Sequence, residues 1–168
     1  MRILFFIALS CSLFSSCKAV EDANPIKAIT EGVNKDEESQ ISSVTSQYVE
    51  LMNNYRISLG LNPLVFEKDM SALATTHSQN MAAGSVSFGH TGFSDRCSKS
   101  REIMGGGNLC GEIVAQGQST PQGAFQSWMG SSGHRAKIEE PRYTHTGFGY
   151  FKSAKGVMYW TQVFLEVE

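Results

Sequence analysis

The sequence predicts an α+β domain, because residues at helical spacing come first and strand-forming residues come last. In residues 41–60 apolar side chains recur every three or four positions, and a second stretch of this kind covers residues 70–84. The final segment, THTGFGYFKSAKGVMYWTQVFLEV, places strand-forming residues on either side of the turn sequence SAKG. Helices followed by an antiparallel hairpin are typical of layered α+β folds.

The composition is that of one globular domain with a hydrophobic core. Of the 168 residues, 41% are hydrophobic and 18% are charged, in a chain too short for two large domains. The formal net charge is −2 and no basic run occurs, so the sequence gives no support for nucleic-acid binding.

The amino-terminal stretch MRILFFIALSCSLFSSC, residues 1–17, is predicted to be a signal peptide of the lipoprotein type. Arg2 supplies a positive charge, and the apolar residues 3–13 are too few for a stable membrane span. The ending LFSSC resembles a bacterial lipobox, in which the cysteine, here Cys17, is lipidated after cleavage. Ordinary signal cleavage, which yields a secreted protein, is the alternative.

Export places the protein in the bacterial cell envelope, attached to a membrane through Cys17, or in the medium. Lys18 follows the cysteine in place of the aspartate that retains some lipoproteins in the inner membrane, which favours the outer membrane where one exists. Residues 18–40 are polar, acidic and without aromatic side chains, so we predict a flexible tether there and the folded domain in residues 41–168.

The cysteines of the domain are predicted to form a disulfide. Of the four in the chain, Cys11 and Cys17 belong to the predicted signal peptide, which leaves Cys97 and Cys110. In an oxidising compartment such a pair is expected to be bridged, and the short loop it closes is worth about 3 kcal/mol in the chain-entropy model. Neither cysteine belongs to a CxxC pair, so a metal site built on them is the weaker alternative.

The elements between the two ends follow from turn residues and periodicity. The segment LNPLVFEKD is predicted to be a connector, because its proline disfavours helix. The second helix, MSALATTHSQNMAAG, has Asp69 as a candidate cap and ends at Gly84. Residues 85–122 are rich in glycine and are predicted to be mostly loop. A third, shorter helix, QGAFQSWMGS, has Phe125 and Trp128 as core anchors.

His90, Glu112 and His134 are the candidate site residues. Each is predicted to lie on a loop or at the end of an element beside glycine, where loops deliver side chains into a shared cleft. Two imidazoles and a carboxylate form an open divalent-metal site, with zinc the usual occupant. The same groups suit an acid–base pair in which the carboxylate orients a histidine. They are also compatible with three unrelated polar residues, because no spacing of the HExxH kind links them.

Six short motifs in order resemble the bacterial branch of the CAP family of cysteine-rich secretory proteins, antigen 5 and pathogenesis-related proteins. They lie between residues 48 and 164 and read ATTHSQNMA, FGHTGF, CGEIVAQG, WMGSSGHRAKI, TGFGY and YWTQVF. The resemblance implies a three-layer α-β-α sandwich with a central antiparallel sheet. It also implies a cleft lined by two histidines and two acidic residues, which in some members of the family binds a divalent cation.

By this resemblance, His90 and His134 match the two family histidines and Glu112 matches the glutamate of the family GEN motif. Ile113 stands in place of the asparagine of that motif. The second acidic residue of the family has no counterpart, which leaves three metal ligands at most.

Three other residues are predicted to support these ligands. His77 lies on the apolar face of the second predicted helix and is expected behind the cleft. Ser131 and Arg135 flank His134 in sequence, and Arg135 is expected to hydrogen-bond carbonyl groups or a nearby carboxylate.

The sequence favours a binding module over an enzyme. By analogy with the family, an exported, lipid-anchored domain would present its cleft to a small hydrophobic ligand or to a protein of the envelope. A surface-interaction scaffold with a non-functional cleft ranks second. A metal-dependent, protease-like hydrolase with zinc on the histidines ranks third, since no GxSxG or other nucleophile signature occurs.

Overall fold

A computed structural model describes the backbone of residues 35–168 and the side chains from residue 43 onwards. The helices of this part are α1 (Lys35–Ser58), α2 (Lys68–Ala83), α3 (Phe93–Met104), α4 (Pro121–Met129) and α5 (Ser132–Ile138). The strands are β1 (Val65–Phe66), β2 (Cys110–Gln116), β3 (His145–Lys152) and β4 (Met158–Leu165). No helix within residues 35–168 combines the length and apolar character that a membrane span requires.

The predicted signal peptide, the lipidation site Cys17 and residues 18–34 of the predicted tether lie outside the described residues. Helix α1 begins at Lys35, so it starts before the predicted domain boundary at residue 41. The first residues of this helix are polar and show no apolar spacing, which is why periodicity placed the boundary later.

The four strands form one sheet in the spatial order β1–β3–β4–β2. Strands β3 and β4 form the predicted carboxy-terminal hairpin, and β2 lies antiparallel to β4 at the edge. The antiparallel arrangement is thus confirmed for three strands. The segment predicted as a connector contains the short strand β1, which is parallel to β3. Two residues are too few to show strand alternation in a sequence.

Helices cover both faces of the sheet, which confirms the three-layer α+β fold. On one face α2 lies so close to β3 that a Cβ atom at Gly149 would overlap the backbone nitrogen of Thr75. Only glycine permits this approach between helix and strand. On the other face Tyr48 of α1 stacks on Phe148, and Trp128 of α4 packs against Tyr48 edge-on.

Residues 85–122 contain more regular structure than the sequence predicts. Helix α3 buries only Cys97 and Ser100 along its length, so it has no apolar stripe that periodicity can detect. The predicted disulfide between Cys97 and Cys110 is confirmed, and it ties this polar helix to the start of β2. Strand β2 is buried over five successive residues, and buried runs of this kind lack the alternation of half-exposed strands.

One helix cap and one short helix differ from the prediction. The cap of α2 is Glu67 and not Asp69, because the Glu67 carboxylate accepts a hydrogen bond from the Asp69 backbone nitrogen at 3.3 Å. Gly84 ends this helix in the left-handed conformation, as predicted. Helix α5 was not predicted, since its seven residues are too few to establish a helical period.

Candidate functional site

A cleft of about 360 Å³ lies along the edge strand β2, next to helices α4 and α5. His90 reaches it from the loop between α2 and α3, and His134 reaches it from α5. The fold therefore brings both predicted histidines to one cavity. Its apolar lining includes Phe88, Val114, Ala115 and Trp128, and its other polar lining includes Gln116, Gln118 and Ser127.

Glu112 lies behind this cleft and contacts one of the two histidines. Its Oε1 atom is 2.9 Å from Nδ1 of His90, and its side chain is only 1% exposed. The prediction that all three candidates lie on loops or element ends is wrong, since Glu112 is inside β2 and His134 is inside α5. Both elements fall in segments that have too little periodicity to be detected.

The predicted three-ligand metal site stays a prediction. Among the described residues, no three His, Cys, Asp or Glu side chains form a group that can hold a metal ion. His90 and Glu112 are joined by a hydrogen bond, whereas His134 shares only the cleft with His90.

Arg96 is the residue of this site that the sequence analysis missed. Its Nε donates to Glu112 Oε2 at 2.6 Å and its Nη2 donates to Glu112 Oε1 at 2.8 Å. A bidentate arginine–carboxylate pair of this kind is among the strong polar contacts in proteins. The sequence contains only an indirect signal of this contact. Arg96 directly precedes Cys97 and Glu112 follows Cys110 by two residues, so a disulfide between the two cysteines places Arg96 near Glu112.

The hydrogen bonds of Glu112 determine where the proton of His90 lies. Both Glu112 oxygens accept hydrogen bonds from Arg96, and a carboxylate paired in this way only accepts, which assigns Nδ1 of His90 as the donor. In the neutral imidazole Nε2 then carries no proton and acts as an acceptor. The His90 side chain is 49% exposed and lines the cleft, so this acceptor is accessible to a ligand.

His77 supports the loop that carries His90. It is buried, and its Nε2 donates to the carbonyl oxygen of Gly89 at 2.8 Å. Burial is the main reason that the pKa of His77 lies below its usual value, which keeps the ring neutral. His77 is therefore packed on the apolar face of α2, as expected, and its support of the cleft residues stays a prediction.

His134 and its sequence neighbours differ in their relation to the cleft. Burial is the main cause that lowers the pKa of His134, with smaller contributions from His90 and Lys137. Ser131 caps α5 through its backbone only, and its hydroxyl makes no capping hydrogen bond. Arg135 lies 3.9 Å from Glu139 with a half-exposed side chain, a contact of the kind that contributes little to stability. Neither Ser131 nor Arg135 lines the cleft.

Known proteins from Bacillus species are similar to this chain in sequence and in structure. The uncharacterized protein YkwD of Bacillus subtilis is 33% identical over 129 residues, which covers 76% of this chain and 49% of YkwD. An extracellular protein with an SCP domain from Bacillus anthracis has a solved structure that matches with a TM-score of 0.67 and 26% identity, over 80% of this chain and 44% of that chain.

A cysteine-rich secretory protein from Staphylococcus aureus matches with a TM-score of 0.62 and 22% identity, over 76% of this chain and 40% of that chain, which supports the fold alone. This chain thus spans less than half the length of each of these three relatives. Residues 49–164 match the family model described as CAP, the cysteine-rich secretory protein family. The chain therefore belongs to the CAP family, as its six motifs indicate.

Proposed function

We propose that this protein is an exported binding module whose ligand site is the cleft along β2. The observation that carries the proposal is the construction of the cleft, in which apolar walls surround a few hydrogen-bonding groups. Sites for small molecules are typically built in this way, and a volume of about 360 Å³ lies within their usual range. The predicted signal peptide, the disulfide and the extracellular Bacillus anthracis relative support export.

The polar groups of the cleft favour a ligand with an apolar body and a hydroxyl or N–H donor. His90 offers Nε2 as an acceptor. Gln118 also lines the cleft and carries a further acceptor, Oε1, which is buried and makes no hydrogen bond within the described residues. The Gln118 amide nitrogen donates to the Ser127 hydroxyl at 3.2 Å, which holds this acceptor in place.

A neutral fluorescent amine tests the proposal. N-phenyl-1-naphthylamine has an apolar body and one N–H donor, and its emission rises in apolar surroundings. We expect saturable binding to the purified protein, and we expect Ser127→Phe to weaken it by at least about tenfold. Ser127 is exposed on α4 and lines the cleft, so a phenyl ring there fills the cavity without entering the core.

Gln126→Phe is the matched control for this titration. Gln126 is exposed on the same helix but does not line the cleft, so the added ring should leave the affinity unchanged. No saturable binding, or equal affinities in the two variants, would count against the cleft as the ligand site and favour a scaffold that acts through its surface.

We also propose that lipid on Cys17 anchors the protein in the cell envelope. Cells that express the full chain and are fed an alkyne-labelled fatty acid should transfer the label to the protein. Cys17→Ser should abolish labelling, whereas Cys11→Ser, a matched change in the same stretch, should not. Labelling that persists in Cys17→Ser would contradict lipidation at this residue, whereas no labelling of the unmodified protein would leave ordinary secretion.

The hydrolase interpretation ranks lower because Glu112 is not free to activate water. Both of its oxygens accept hydrogen bonds from Arg96, and its side chain is 1% exposed. A general base must reach the proton that it removes, directly or through one water molecule.

A further inference from the structure

Arg96 compensates the buried charge of Glu112. A carboxylate removed from water needs hydrogen bonds and an opposite charge, and the guanidinium of Arg96 supplies both. The third nitrogen of this guanidinium, Nη1, donates to the carbonyl of Thr91 at 2.8 Å. The same group therefore holds the carboxylate and the residue that follows His90.

The residues around Glu112 do not fit a divalent metal ion. Zinc binds carboxylate oxygens at about 2.0–2.2 Å, so a zinc ion on Glu112 would have to displace a hydrogen bond from Arg96 or His90. The ion would also lie next to the guanidinium of Arg96, whose positive charge repels it. His90 adds a geometric obstacle, since its Nδ1 is turned towards Glu112. Its remaining nitrogen, Nε2, lies across the ring, so Nε2 and the Glu112 carboxylate cannot ligate one ion together.

We infer that Arg96 is the permanent cation of this site and that the Arg96–Glu112 pair is a positioning unit for His90. The pair holds Nδ1 of His90 protonated and presents Nε2 to the cleft as an acceptor. No metal ion is needed for this arrangement. The inference concerns how the cleft is built, and it holds whether or not the proposed ligand class is correct.

The tautomer of His90 is the first test. In the purified protein with ¹⁵N-labelled histidine, the ring nitrogen shifts of His90 should show a proton on Nδ1 and none on Nε2. Arg96→Met should shift the population towards the Nε2–H form, because Glu112 loses the two hydrogen bonds that hold its carboxylate in place beside Nδ1. A predominant Nε2–H form in the unmodified protein would overturn the inference without any variant.

Arg101→Met is the matched control for this measurement. Arg101 lies on the same helix and donates to the carbonyls of Gly107 and Asn108, so its removal is a structural loss of similar kind. It should leave the His90 tautomer unchanged. An equal change of tautomer in Arg96→Met and Arg101→Met would assign Arg96 a general structural role and overturn the inference.

Zinc titration by calorimetry is the second test, and it uses the metal alone as the probe. We expect Arg96→Met to bind zinc at least about tenfold more tightly than the unmodified protein, since the carboxylate is then released from the guanidinium. Equal affinities, or no binding by either protein, would contradict the claim that Arg96 excludes the ion. Because neither readout involves the naphthylamine probe, this inference and the proposed function fail independently.

Discussion

Replacing Arg56 with methionine is expected to lower the free energy of unfolding by at least about 3 kcal/mol, the value of two hydrogen bonds from a charged donor. Arg56 is fully buried, and burial lowers the pKa of its guanidinium. Its partners are four backbone carbonyls, those of Asn62, Ile138, Glu140 and Tyr143, at 2.6–3.3 Å. Methionine has a similar length but leaves these acceptors without their donor.

Urea unfolding of the two proteins measures this difference. Arg135→Met is the control, since the Arg135 side chain is half exposed and makes only a long ion pair with Glu139. We expect this change to cost less than about 1 kcal/mol. A similar loss in both variants would mean that the buried hydrogen bonds of Arg56 add little to stability.

Arg56 also connects the helical layer to the site. Its guanidinium donates a hydrogen bond to the backbone carbonyl of Tyr143. The hydroxyl of Tyr143 in turn lies so close to Gly111 that a Cβ atom at position 111 would overlap this hydroxyl. Gly111 directly precedes Glu112 in β2. The contacts of Arg56 therefore help to set the position of the strand that carries the buried carboxylate.

Removing the disulfide with the double change Cys97→Ser and Cys110→Ser is expected to cost about 3 kcal/mol, from the entropy of the short loop that it closes. For a domain of this size the melting temperature should fall by roughly 10 °C. The double change avoids a free thiol that can form wrong bridges. Thermal unfolding followed by circular dichroism measures the shift.

A reducing agent provides the internal control for this prediction. It should lower the melting temperature of the unmodified protein by a similar amount and leave the double variant unchanged. Equal melting temperatures for the oxidised and reduced protein would show that the packing of α3 does not depend on the bridge. The bridge also joins the neighbours of Arg96 and Glu112, so its loss should change the His90 tautomer in the same direction as Arg96→Met.

The parts of the fold that the sequence predicts are those with strong local signals. Helices α1 and α2 have apolar residues at helical spacing, and Tyr48, Met52 and Met70 are fully buried in the structure as that spacing requires. The β3–β4 hairpin follows from strand-forming residues around a glycine turn, and Gly156 adopts the positive φ of 80° that the turn needs. The cysteine pair follows in the same way from residue type and order, whereas the two cleft histidines follow from the resemblance to the CAP family.

The sequence by itself thus determined the fold class and the disulfide, because each depends on residue type and short-range order, whereas the histidines of the cleft followed from the resemblance to the CAP family. Only the tertiary structure decided which basic residue forms the ion pair with Glu112, and this residue is Arg96. Arg96 lies on a helix without an apolar stripe and is 16 residues away from Glu112 in the chain, and two other basic residues, Lys99 and Arg101, share its helix. An ion pair leaves no periodic pattern in a sequence. Its two partners can be identified only from the structure, in which the disulfide and the sheet place α3 against β2.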